Sequence, residues 1–222
     1  MTALAMPKPD RDGGMEGVVA KWYAANTGEM MKEYVALARR VAGQIAPGSA
    51  VLDVAPGPGY FCIELARLGN YSISGLDLSH TFVKMAAKKA AKAGVQVDFK
   101  LGTAAQLPFR TGSFDFLLCR AAFKNFAEPV SALREMWRVL RPGGRALLID
   151  LKKNASPDEI SHCLNTLGLS PFNRFFTRLA FRTALLKRAY TRQQFEYMLG
   201  LTKFSSVEIV ESEIGFEISL RK

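Results

Sequence analysis

Cysteine and histidine are both scarce in this 222-residue chain, and their scarcity removes whole classes of mechanism. The three cysteines, Cys62, Cys119 and Cys163, are odd in number and widely separated, and none has CxxC spacing. That argues against a disulfide framework or a zinc site and fits a reducing compartment. The two histidines, His80 and His162, form no clustered ligand set, so a metal-dependent mechanism is disfavoured. Each reads as a helix-surface or capping residue. No apolar run approaches the roughly 18 residues of a membrane span. The opening MTALAMPKPDRDGG lacks the apolar stretch of a signal peptide, so a soluble cytoplasmic protein is expected. There is no GK[ST] anywhere, which excludes a Walker loop, and no repeat or low-complexity tract.

What is present is ordinary globular material carrying an excess of positive charge. Hydrophobic residues make up 49% and charged residues 23%, enough apolar surface for one full core. The net charge of +10 raises the question of an anionic partner. Residues 151–192 hold eight bases against two acids, so a functional basic surface is expected there.

Periodicity divides the chain into four stretches of a single domain. Residues 1–46 are a loose tail followed by two helical patterns, GMEGVVAKWYAA and GEMMKEYVALARRVAGQI. Residues 47–151 alternate strand and helix: AVLDVA, YFCIELARL, YSISGLDL, a helix capped by Ser79, VQVDFK, SFDFLLCR, PVSALREMWRVL and RALLIDL. Such alternation calls for right-handed βαβ crossovers and an α/β, Rossmann-like doubly wound sheet, with helices on both faces. The ligand site is then expected outside the carboxyl ends of the strands. Residues 152–200 read as a helical cap, and residues 201–222 as two strands whose short connection demands a C-terminal antiparallel strand.

Asp53-Val54-Ala55-Pro56-Gly57-Pro58-Gly59 leaves the first strand and opens a helix, the context in which glycines let a ligand approach the backbone. A dinucleotide fingerprint would need a small residue where Cys62 stands. The two prolines also remove N–H donors that a diphosphate would use, so this loop is not expected to hold phosphates. Asp77 ends the second strand, where a carboxylate can accept from both ribose hydroxyls or help cap the next helix.

DVAPGPG, GLDLS, GTAAQLPFRTGSFDFLLCR and EMWRVLRPGGRALLID, in that order, resemble the successive motifs of class I S-adenosylmethionine-dependent methyltransferases. The likeness is greatest to the small-molecule branch containing the quinone-biosynthesis C-methyltransferases, and it covers about residues 45–151. The resemblance implies S-adenosyl-L-methionine as cofactor and S-adenosyl-L-homocysteine as product. Asp53, Ala55, Pro56, Gly57 and Gly59 would face the methionine part, Asp77 the ribose and Leu78 the adenine. Thr103 and Ala104 would lie at the adenine edge, with Cys119 and Arg120 on the floor beside the sulfonium. The family usually has glycine at Ala55, a change of little cost if that backbone keeps a negative φ. It also has an acid at Thr103, whose loss removes a hydrogen bond of about 1 kcal/mol.

Methyl transfer from a sulfonium needs alignment and exclusion of water more than a dedicated triad. Lys124 and Asn125, in the loop after the fourth strand, are candidates to orient a small organic acceptor, or else a solvated pair. The resemblance also suggests an N-terminal lid, with Tyr23 the favoured contact to cofactor and acceptor and Trp22 a candidate for core packing. Arg174, Arg178 and Arg182 recur every four residues, giving a solvated stripe or a cap for an anionic or amphipathic acceptor, with peripheral membrane contact an extension of that idea. Nucleic acid is disfavoured because no RNA-binding signature or appended basic domain occurs. An RNA or protein methyltransferase and a non-catalytic cofactor-binding scaffold stand as alternatives.

Overall fold

The computed structural model describes residues 15–28, 30–166, 174, 177, 178, 181 and 185–222. Helices α1 (Gly17–Gly28) and α2 (Met31–Ala42) precede the sheet. Then come β1 (Ala50–Val54), α3 (Tyr60–Ala66), β2 (Ser72–Asp77), α4 (His80–Lys92), β3 (Asp98–Leu101) and β4 (Phe114–Arg120). A single 3-10 turn, Phe123–Asn125, leads to α5 (Pro129–Val139) and β5 (Leu140–Leu151). The chain continues through α6 (Pro157–Thr166), the one-turn α7 (Leu186–Arg188), α8 (Arg192–Gly200), β6 (Ser206–Glu211) and β7 (Gly215–Arg221).

The seven strands of the described residues lie in the order β3-β2-β1-β4-β5-β7-β6. β7 pairs antiparallel with both of its neighbours, β5 and β6, and every other pairing is parallel. The expected doubly wound sheet with one antiparallel strand is therefore what forms. Among the described residues no helix is long and apolar enough to cross a membrane.

Alternation of side chains across the strands divides the core into two layers. Val51, Ile73, Phe116, Leu118 and Leu147 join Leu37, Val41, Phe61 and Leu65 of α2 and α3 on one face. Leu52, Val54, Leu117, Cys119 and Leu148 join Leu133 and Met136 of α5 and Phe195 and Met198 of α8 on the other. Fully burying side chains of this size contributes roughly 1.5–3 kcal/mol each, so the layers hold the strand ends rigid.

Two expectations change. The Arg-Pro-Gly-Gly run, which falls between the expected helix PVSALREMWRVL and the expected strand RALLIDL and carries the local signal of a helix stop, is itself part of β5. A register shift between Phe114 and Phe116 absorbs it, and the backbone of Gly143 and Gly144 bonds to Lys222. A non-local partner overrides the local turn signal. The segment read as the last part of a cap, 191–200, begins with a capping box between Thr191 and Gln194, and its helix α8 packs into the main core against α5. Arg182, the third member of the arginine stripe, lies outside the described residues; Arg174 and Arg178 are within them.

Candidate functional site

The helices after β1 and β4 lie on opposite faces, so the space between these two central strands is the switch point of the sheet. A crevice opens there, lined by Tyr23, Tyr34, Asp53, Ala55, Pro56, Gly57, Pro58, Phe61, Leu118 and Arg120. It unites α1, α2, the glycine loop and the end of β4. Sequence reading gave the loop, Tyr23 and Arg120. It missed the contributions of Tyr34 and Phe61, which carried only a helical apolar period, and of Leu118, read only as part of an apolar strand.

The loop is shaped by backbone conformation. Gly57 and Gly59 have φ of 54° and 78°, in the left-handed region that glycine enters without strain. A side chain at Gly59 would also meet Ala86 Cβ and Phe99 Cζ at 2.9 Å, so α3 could not sit so close to its neighbours. Ala55 departs from expectation: its φ is 61°, not negative. Its N–H donates to Leu76 O at 2.7 Å, a bond into β2 that helps hold the conformation. The strain for a residue with a Cβ is about 1–2 kcal/mol. Ala121, just past β4, is likewise left-handed at 58°. Both central strands thus end in a strained alanine beside the crevice.

Asp53 is buried, and its Oδ2 accepts a 3.4 Å bond from the Cys62 thiol. Burial pushes its pKa up to about 7. The thiol bond opposes that rise, the Asp77 charge adds to it and the Arg120 charge opposes it. Arg120 donates to Glu33 Oε2 at 2.6 Å and stands 4.5 Å from the Tyr34 ring centroid. Burial likewise raises the pKa of Tyr23 and Tyr34, whose hydroxyls stay protonated. Tyr23 packs edge-on against Phe82 of α4 at 5.8 Å.

Asp77 accepts from Gly57 N and Ser79 N, both at 2.9 Å, so it ties the glycine loop to the start of α4. Burial raises its pKa, while those backbone bonds oppose the shift. A carboxylate has about four acceptor positions, more than these backbone donors fill. Leu78 is 44% exposed beside it. Thr103 follows β3, exposed, with Oγ1 accepting from Ala105 N; Ala104 packs on the core. Glu135 and Arg138 of α5 hold this loop from behind: Leu107 N donates to Glu135 Oε2 at 2.8 Å, and Arg138 donates to Leu107 O and Phe109 O.

Two expected site residues take other places. Cys119 lies between Leu118 and Arg120, and strand alternation sends its side chain into the opposite core layer rather than to the crevice floor. The Lys124 side chain is 4% exposed and its Nζ donates to Asp150 Oδ1 at 3.1 Å and to Ala121 O. Lys124 N also donates to Asp150 Oδ2 at 2.9 Å. The cation that was to meet an acceptor closes a buried ion pair instead. Asn125, next to it, is exposed, as is Trp22 at 46%, which is not a core residue. His80 begins α4, and His162 pairs on the surface with Glu213.

A Rossmann-like sheet with its crevice at the β1/β4 switch point defines a fold shared with known methyltransferases. Residues 52–148 match the family described as methyltransferase domain. The demethylmenaquinone methyltransferase of Deinococcus radiodurans is 42% identical over 107 residues, 48% of this chain and 44% of that protein. The enzyme of the same name from Mycobacterium tuberculosis is 36% identical over 154 residues, 68% of this chain and 63% of its own. The chain thus spans from less than half to under two thirds of these relatives. In fold, a Methanococcus maripaludis protein assigned to the S-adenosyl-L-methionine-dependent methyltransferases superposes with a TM-score of 0.74 at 22% identity, covering 94% of this chain and 97% of that one.

Proposed function

We propose that this protein is a cytoplasmic methyltransferase that moves a methyl group from S-adenosyl-L-methionine to a small, amphipathic organic acceptor. The observation that carries the reading is the placement of Asp53 and Arg120 in one crevice, with Asp77 at the end of the adjacent strand. A buried carboxylate that, among the described residues, has only a thiol for a hydrogen-bond partner suits an ammonium, and a guanidinium suits a carboxylate. Together they match the two charged groups of an amino acid. Asp77 has acceptor positions for ribose hydroxyls, and Leu78, Thr103 and Ala104 border the space an adenine would need.

Bound there, the cofactor supplies an electrophilic methyl on a sulfonium. The protein's part is binding, orientation and exclusion of water. Tyr23 and Tyr34 cover the crevice with aromatic surface, and each keeps a hydroxyl proton to donate. Asn125, exposed on the turn after β4, would meet the acceptor, whereas Lys124 holds that turn through Asp150. The lipid-quinone relatives favour an amphipathic acceptor, and the free thiols of Cys62, Cys119 and Cys163 favour a reducing cytoplasm.

Calorimetry with S-adenosyl-L-methionine and S-adenosyl-L-homocysteine tests the binding half: both bind, and Asp77→Ala weakens both at least tenfold, about 1.4 kcal/mol for a charge-assisted bond pair. Transfer of labelled methyl into a lipid extract of the source cells tests turnover. Binding without transfer would leave only a cofactor-holding scaffold.

A further inference from the structure

Helix α1 has two unlike faces. Ala20 and Ala24 are buried, Tyr23 meets Phe82, and Ala24 O accepts from Tyr60 Oη at 2.8 Å. The opposite face carries Val18, Val19 and Trp22, with Met15 just ahead, exposed by 81%, 58%, 46% and 38%. Positions 15, 18, 19 and 22 follow helical spacing and form one stripe. Single exposed apolar residues are ordinary, but a contiguous stripe on a helix that already has a buried side marks a contact surface.

The charge around this stripe identifies what it contacts. Gly17 N donates to Thr81 Oγ1 at 3.1 Å, and Tyr60 Oη, which bonds Ala24 O, accepts from Lys89 Nζ at 2.8 Å. α1 therefore runs alongside α4. Lys84, Lys88 and Lys92 form an exposed row on α4 at four-residue spacing, and Lys21 is exposed on α1. Residues 15–28 and 80–92 together hold five lysines and the single acid Glu16. That acid is already engaged, accepting from His80 N and Thr81 N and Oγ1 at the start of α4. Among the described residues of α1 and α4, the surface joins an apolar stripe with an excess of positive charge. A second copy of the chain would set lysines against lysines, while an anionic bilayer supplies both the opposite charge and an apolar boundary, where tryptophan is favoured.

We propose that the outer face of α1, with the lysine row of α4, docks on an anionic lipid bilayer. The contact lies on the N-terminal lid rather than on the arginine-bearing segment of residues 174–182. α1 also presents Tyr23 to the crevice, so docking places the mouth of the site at the lipid surface. That last consequence rests on the methyltransferase reading; the docking itself does not.

Co-sedimentation of the full chain with vesicles tests it, using phosphatidylcholine alone and phosphatidylcholine with about 30% phosphatidylglycerol. The chain pellets with the anionic vesicles only, and the binding weakens with salt. Val18→Asp/Val19→Asp abolishes binding, and Lys84→Ala/Lys88→Ala weakens it about thirtyfold at roughly 1 kcal/mol per lysine. Circular dichroism and cofactor calorimetry on each variant confirm the fold, and both pairs keep the wild-type cofactor affinity. A chain that stays in solution overturns the proposal. So does binding that survives Val18→Asp/Val19→Asp but falls with Arg174→Ala/Arg178→Ala, or a dimer that the valine pair dissolves without any vesicle binding. Vesicle binding without cofactor binding would instead defeat the methyltransferase reading and leave the docking surface standing.

Discussion

Two buried carboxylates close two strands of the same sheet, and their surroundings are opposites. Asp150, in β5, accepts from Lys124 Nζ, Lys124 N and Leu151 N, so its charge is matched by a buried cation and two backbone donors. Asp53, in β1, has the Cys62 thiol and the field of Arg120. The first arrangement is complete without any ligand. The second leaves a buried charge undercompensated, a cost the fold carries where an ammonium would relieve it. Compensation, rather than burial or charge alone, separates the group that holds the turn after β4 from the group proposed to hold a ligand.

The largest effect comes from breaking the compensated pair. Lys124→Met leaves Asp150 buried without its cation and destabilises the protein by about 3–5 kcal/mol in urea unfolding. Lys124→Met/Asp150→Asn recovers most of that loss, because the amide carries no charge and its oxygen still accepts from a backbone N–H that Asp150 now serves. A single-variant loss below about 1 kcal/mol would place the pair in solvent-like surroundings.

Asp53→Asn behaves oppositely, leaving stability intact or higher while weakening S-adenosyl-L-methionine at least tenfold, in line with about 1.5–3 kcal/mol for a bond to a charged group. The sign of the pH effect follows from a pKa of about 7 in the folded chain against 3.8 for an aspartate free in water. Between those values the folded state keeps a proton the unfolded chain has released, so stability falls as pH rises from about 4 to about 7. Wild type should lose stability relative to Asp53→Asn across that window, and parallel melting curves for the two proteins would refute the burial argument.

The smallest change concerns the loop that carries this site. Ala55→Gly relieves the left-handed strain and stabilises by about 1 kcal/mol, measured as a higher urea midpoint. Ala121→Gly, beside the compensated pair, should gain a similar amount. Unequal gains would show that the two strained turns are supported differently.

The strand-helix alternation, the glycine loop and Asp77 were legible because each rests on local spacing. Residues whose role depends on a distant partner were not. Lys124 looked like a solvent-loop cation because Asp150 is 26 positions away, and Cys119 looked like floor because its side of β4 is set by the whole sheet. Arg-Pro-Gly-Gly resembled a stop because the strand that recruits it comes some 70 residues later. Trp22 suggested core, yet the opposite side of α1 meets α4. Glu16 carried no signal, since its value lies in reaching the backbone of His80 and Thr81.

The position of β7 governs how the molecule is made. It follows β6 in the chain but lies between β5 and β6, pairing with seven residues of the former and six of the latter. During synthesis, β5 must wait with a bare hydrogen-bonding edge until residues 215–221 emerge and slide into place. Chains stalled or clipped before that moment would present a sticky apolar ribbon, so solubility during translation hangs on the arrival of β7.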